Sequence, residues 1–203
     1  MAILKRAFYD RDAVVVAKEL LGKILVYEVN GYKLTARIVE TEAYMGIEDK
    51  AAHSYGGRKT KRVAVMYGKP GFVYIFMIYG MYFCFNIVTR EEGIPQAVLI
   101  RAVEPLEGLE EMAHHRFQKE YWQLTTQQKK ALTNGPGKLC KAFSIDKQLN
   151  GSDVCGNTIY IKDGKQDTVD IVEAKRVGID YAQEAAEFLW RFYIKDNLYV
   201  SVE

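Results

Sequence analysis

Cysteine is scarce in this chain: Cys84, Cys140 and Cys155 are an odd number with no paired spacing. That excludes a disulfide framework and a cysteine-based zinc site, and it suits a reducing compartment. Acidic residues are missing altogether between Asp49 and Glu91, while Lys50, Arg58, Lys59, Lys61, Arg62, Lys69 and Arg90 fall in that interval. The chain as a whole is nearly neutral, with 28 basic against 26 acidic residues, so its positive charge is concentrated in this segment. A cationic patch of this kind calls for an acidic polymer as partner. Charge of either sign is absent from Gly71 to Thr89. The run approaches the length of a membrane span, but Gly80 and Asn86 interrupt it and Tyr and Phe crowd it, so it reads as two strands and a turn and predicts no membrane segment. The opening residues, Met1 to Phe8, hold no apolar stretch long enough for a secretory signal. Repeats, linkers and low-complexity tracts are lacking too. What is present is 203 residues with 49% hydrophobic content, enough for one core, and the expectation is a single domain over 1–203.

Asp10 or Asp12 can cap a helix carrying Ala13, Val14, Ala17, Leu20 and Leu21, with Gly22 placed to end it. Residues 23–28 and 32–43 form a hairpin across Asn30-Gly31. Strict alternation along the second strand places Ile38, Glu40, Glu42 and Tyr44 on one face and Arg37, Val39, Thr41 and Ala43 on the other. Residues 46–61 read as a basic, glycine-containing loop able to cross a ligand. Strands follow at 73–77 and 82–88, joined by Ile78-Tyr79-Gly80-Met81, and at 97–103. Alternation puts Tyr74 with Phe76, and Cys84 with Asn86. Helices are expected over 106–117 and 137–143, the second opened by Gly135-Pro136-Gly137. The polar stretch 118–133 is the candidate for a mobile insertion, and the remainder reads as short strands and turns ending in an alternating strand at 198–202.

Glu42 can act as a general base toward water, and Glu40 on the same face would raise its pKa by repulsion. The plainer reading is that both glutamates pair with Arg37, Arg101 or a basic loop residue. Tyr44 and Phe76 offer faces on which a base would gain about 1–3 kcal/mol by stacking. A cationic base would gain about 0.5–2 kcal/mol more through the rings' quadrupoles. Otherwise both are core residues. His53 lies in a polar loop and can bond to a bound base or fix its own loop. Tyr79, beside Gly80 at a hairpin tip, can wedge between base pairs or stand in solvent. Asn86 and Arg101 are too polar for their strands and must find partners in the backbone, in a carboxylate or in a ligand. The start of the helix at Pro136, with Lys138, can meet a phosphate. His114 and His115 are adjacent, so a metal pair there is excluded by helix geometry.

Residues 37–44 (RIVETEAY), 51–54 (AAHS), 69–71 (KPG), 78–84 (IYGMYFC), 99–102 (LIRA) and 135–140 (GPGKLC) form a set. On that set the chain resembles the alkyladenine, or 3-methylpurine, DNA glycosylase family from Phe8 to Val202. The resemblance implies an α+β fold: a compact domain around a curved antiparallel sheet with flanking helices and a protruding β-hairpin. It implies Glu42 and Arg101 as catalytic residues, Tyr44, His53, Phe76 and Asn86 around a flipped base, and Tyr79 in the gap left in the duplex. Arg58, Met81, Tyr82 and Lys138 would lie along the DNA backbone. Asn86 would exclude ordinary guanine by crowding its exocyclic amino group. The family's animal members have Tyr where this chain has Phe76, which removes a hydroxyl from the base pocket and bears on the balance between cationic and neutral lesions.

The expected activity is therefore monofunctional hydrolysis of the N-glycosidic bond of alkylated or deaminated purines in double-stranded DNA, by a monomer, with no metal and no cofactor. The targets would be 3-methyladenine and 7-methylguanine, with hypoxanthine and ethenoadenine as neutral candidates. The location would be the cytoplasm with its nucleoid in a prokaryote, or the nucleus in a eukaryote. The rival reading is a non-catalytic module that binds damaged DNA or RNA bases on the same aromatic platform.

Overall fold

The computed structural model describes residues 2–29, 31–164 and 169–202. In chain order its elements are α1 (Arg6–Tyr9), α2 (Ala13–Leu20), β1 (Ile24–Val29), β2 (Tyr32–Tyr44), β3 (Val73–Ile78), β4 (Tyr82–Thr89) and β5 (Gln96–Glu107). There follow α3 (Leu109–Phe117), α4 (Thr126–Lys130), α5 (Pro136–Ala142), β6 (Ile159–Lys162), β7 (Ile171–Ala174) and β8 (Arg191–Ile194). The strands make one eight-stranded antiparallel sheet among the described residues, ordered β3-β4-β5-β2-β1-β6, with β8 joining β2 and β7 joining β8. This is the expected α+β architecture.

Asp12 caps α2 by accepting from Val14 N at 2.9 Å, and Ala13, Val16, Ala17 and Leu20 form its buried stripe at helical spacing. The stripe packs on β2, where the Thr41 hydroxyl donates to the Ala17 carbonyl at 2.9 Å. The β1–β2 hairpin pairs Val29 with Tyr32, with Gly31 at φ +80°; Asn30 lies outside the described residues. β2 is the organising strand. One edge pairs with β5, and the other is divided between β1 up to Arg37 and β8 from Glu40 to Glu42.

Strict alternation fails inside β2. Ile38 pairs with Val103 but Glu40 with Ala102, leaving Val39 as an extra residue; then Thr41 pairs with Ile100, leaving Arg101 extra on β5. Each strand thus changes phase by one residue at the same level. Leu34, Ala36 and Ile38 before the irregularity, and Ala43 after it, all belong to the main core, as do Val98, Ile100 and Val103 on β5. Ile38 therefore does not share a face with Glu40 and Glu42. The paired bulges turn Glu40, Glu42 and Arg101 together to the opposite side of the sheet.

Other expectations also shift. β5 runs on through Pro105 and Leu106 to Glu107, and the helix begins only at Leu109, after Gly108 at φ +78°. Residues 118–133 are built into the fold: two capping boxes, Glu120 with Gln123 and Thr125 with Gln128, hold short helical turns, and Leu124 and Leu132 are buried. Residues 198–202 form no strand; their polar atoms are taken up by buried side chains described below. His115 Nδ1 lies 2.9 Å from the Ala142 carbonyl, a structural contact between α3 and α5. Among the described residues no helix is long and apolar enough to cross a membrane.

Candidate active site

A cavity of about 450 Å³ opens on the face of the sheet opposite the main core, lined in part by Tyr44, His53, Tyr74, Phe76, Asn86 and Arg101. Its floor is charged and its mouth aromatic.

At the floor Glu42 is fully buried, directly behind the cavity wall. Its Oε1 accepts from Val177 N at 2.8 Å and faces Arg101 Nη1 at 3.2 Å, and its Oε2 accepts from the Tyr44 hydroxyl at 2.8 Å. A carboxylate has about four acceptor sites, so one remains, on Oε2. Glu40, also fully buried, takes four bonds: its Oε1 accepts from Arg101 Nε, Arg191 Nη1 and Ser201 Oγ, each at 3.0 Å, and its Oε2 from Ser201 N at 2.7 Å. The expected repulsion between the two glutamates is met by Arg101 lying between them and Arg191 beyond. Burial opposes the charged form of Arg101, but Glu42 and Glu40 outweigh it and its pKa rises. Arg101 Nη2 donates to Ser201 Oγ at 3.2 Å, so each of its nitrogens is engaged. The Tyr44 hydroxyl is held protonated, its pKa pushed well up by burial and then by the charge of Glu42.

Val177 reaches Glu42 because Arg176 is anchored. Its guanidinium makes a buried bidentate pair with Asp49, at 2.6 and 2.9 Å, and donates to the Ala43 and Ala185 carbonyls. It also stands 4.9 Å from the Tyr44 ring centroid and 5.0 Å from that of Trp190. Asp49, Arg176, Val177, Arg191 and Ser201 are functional-site residues that the sequence reading missed. Of these only Arg191 carried a legible sign, a lone charge in the aromatic and apolar run 190–194.

At the mouth, His53 packs edge-on to Phe76 with ring centroids 4.5 Å apart, and its Nδ1 lies 2.9 Å from the Tyr74 hydroxyl. Burial, followed by Arg62 and Arg58, lowers the His53 pKa to about 4, so the ring is neutral at pH 7. Asn86 spends its amide N–H groups on the Tyr74 and Cys84 carbonyls, at 3.0 and 3.3 Å, which leaves Oδ1 as the atom it can offer the cavity. Cys84 also lines the cavity, but burial pushes its thiol up to about 12 and keeps it from acting as a nucleophile.

The β3–β4 hairpin stands beside this mouth. Met81 N donates to the Ile78 carbonyl at 3.2 Å across Tyr79 and Gly80, both at positive φ (+51° and +69°). This turn suits the twist of a hairpin, but it puts a tyrosine where glycine or asparagine is the usual choice. Tyr79 is 84% exposed and Met81 67% exposed, an apolar tip projecting from the fold. The base of the hairpin is seated on α5: a Cβ at Gly137 would stand 3.0 Å from the Tyr82 side chain, so any larger residue would have to push Tyr82 aside. Lys138 Nζ bonds Asn134 Oδ1 at 2.8 Å, and Arg58 is exposed. The structure thus gathers Glu42, Tyr44, His53, Phe76, Asn86, Tyr79 and Arg101 in or beside one cavity, while Arg58, Met81, Tyr82 and Lys138 lie outside it.

Residues 7–198 match the family model described as methylpurine-DNA glycosylase. A protein of Desulfitobacterium hafniense (strain Y51), provisionally named a 3-methyladenine DNA glycosylase, is 64% identical over 203 residues, covering 100% of both chains. Proteins under the same provisional name from Clostridium acetobutylicum and Clostridium novyi are each 57% identical, over 98% and 99% of this chain and 97% and 99% of their own.

Proposed function

The chain belongs to the methylpurine-DNA glycosylase family and is a DNA glycosylase, and from that premise we propose that it hydrolyses damaged purines out of duplex DNA with Glu42 as the base toward water. The observation that carries this reading is a buried carboxylate with one free acceptor site, set behind an aromatic cavity and beside an exposed tyrosine wedge.

The duplex meets Arg58, Lys138 and the surface around Met81 and Tyr82, where positive charge faces phosphates. Tyr79 enters the stack and fills the space of the extruded nucleotide. The purine lies among Tyr44, His53 and Phe76, and Asn86 crowds the exocyclic amino group of an ordinary guanine. Water bound to the free site on Glu42 Oε2 attacks the sugar C1′. Its proton passes to Glu42, the C1′–N bond breaks, and its electron pair leaves with the base. A purine alkylated at a ring nitrogen departs as a neutral molecule, so 3-methyladenine and 7-methylguanine are the first substrates, with hypoxanthine and ethenoadenine as neutral candidates. Arg101 holds the carboxylate and the attacking water in place. No step uses a lysine Schiff base, so the product is an abasic site. The protein is taken to act as a monomer. In a bacterium such as those of the relatives, the substrate lies in the cytoplasm with the nucleoid.

The test is release of free base from methylated DNA and from a duplex with one hypoxanthine or ethenoadenine, in the presence of a metal chelator. Glu42→Gln is expected to bind lesion DNA and to lose about a thousandfold in release rate, within the range for a positioned general base. Full turnover by that variant would remove Glu42 from the mechanism.

A further inference from the structure

Phe76 already has a cation near its face. The guanidinium carbon of Arg62 stands 5.4 Å from the Phe76 ring centroid, on an exposed arm of the loop that also carries Arg58. Among the described residues Arg62 has no ion-pair partner, whereas Lys50 of the same acid-free segment is paired with Glu184. Arg62 is also, with Arg58, one of the two charges that depress His53, whose ring packs edge-on to Phe76. The charge therefore reaches the space in which a base would stack.

From this placement we propose that Arg62 is a specificity-determining residue, whose guanidinium competes with cationic purines for the Phe76 ring and so favours neutral lesions. This rests on the function proposed above. Two physical effects act together. An aromatic face attracts a cation, and a guanidinium stacked there occupies the attraction that a 7-methylguanine would otherwise gain. An unneutralised positive charge also raises the energy of a second cation a few ångströms away while leaving a neutral purine little affected. With phenylalanine at 76, the ring offers the base its face alone, with no hydroxyl to hold it.

The experiment measures single-turnover release of 7-methylguanine and of hypoxanthine by wild type, Arg62→Ala and Arg62→Lys. The expected result is that the cationic-to-neutral rate ratio rises about fivefold in Arg62→Ala, consistent with the strength of an exposed cation–π contact. Arg62→Lys, which keeps the charge, should stay nearer to wild type. An equal loss on both lesions would make Arg62 a phosphate contact only, and an unchanged ratio with unchanged rates would make it a surface charge; either overturns the proposal. Absence of release from both lesions by wild type would instead overturn the function on which it rests. Arg62 is exposed, so its removal leaves the fold intact.

Discussion

At the floor of the cavity four charges, Glu40, Glu42, Arg101 and Arg191, lie buried and mutually neutralised. At its mouth, neutral rings stand beneath Arg58 and Arg62, which no carboxylate balances among the described residues. The floor is a closed network in which nearly every polar atom has its partner, as a carboxylate must if it is to stay ionised away from water. The mouth is open and apolar, with charge left over for a partner that brings its own. Position and recognition are therefore separable here: the floor fixes atoms, and the mouth is left open for the base that the proposed function brings to it.

This contrast predicts that the largest losses of stability come from the charges around the floor, while changes at the mouth act chiefly on what the protein does. The largest effect should come from Arg176→Met, which leaves Asp49 charged and buried without its partner. A loss of about 3–5 kcal/mol in stability is expected, read as a lower denaturant midpoint. Tyr79→Ser, at the exposed tip, should leave that midpoint unchanged and reduce lesion release about tenfold, with a smaller effect on binding to undamaged duplex. Equal losses on damaged and undamaged DNA would remove the wedge from the account. Ser201→Ala should act through Arg101, lowering the release rate a few-fold with little change in DNA affinity, about the worth of one hydrogen bond to a charged group.

The smallest effect tests the mouth by pH. The folded-state pKa of His53 lies near 4, below the ordinary value of 6.5. Above pH 6.5 the residue is neutral in both states and costs nothing. As pH falls from 6.5 toward 4 the unfolded chain takes up the proton and the folded one does not, so stability declines. His53→Gln should flatten this part of the curve in denaturation midpoints measured between pH 4 and 7. An unchanged slope would place its origin elsewhere.

The mouth was legible in the sequence because its parts lie close together. His53, Phe76, Tyr79 and Asn86 belong to one loop and one hairpin, where alternation and a turn signal suffice to place them. The floor was only half legible. Glu42, Tyr44 and Arg101 stood out as polar or aromatic groups on strands. Their partners Arg176, Arg191 and Ser201 come from the far end of the chain, and no local period connects residue 40 with residue 201. Alternation also placed Ile38 wrongly, because a bulge moves the phase without changing composition. The closing segment at 198–202 alternates like a strand, yet its backbone is claimed by Glu40 and Arg191.

The division of β2's second edge between β1 and β8 has a consequence for the chain as it is made. Synthesis delivers Glu42 early, and β1, β2 and β5 can zip together from the first half of the molecule. Val177, Arg191 and Ser201 emerge from the ribosome more than a hundred residues later. A nascent chain that stops short of residue 176 holds Glu42 without its backbone donor and Glu40 without three of its four bonds. On the proposed mechanism Glu42 thus stays incompletely held until the residues around β8 are made, and a strand that arrives late completes a site begun on one of the first.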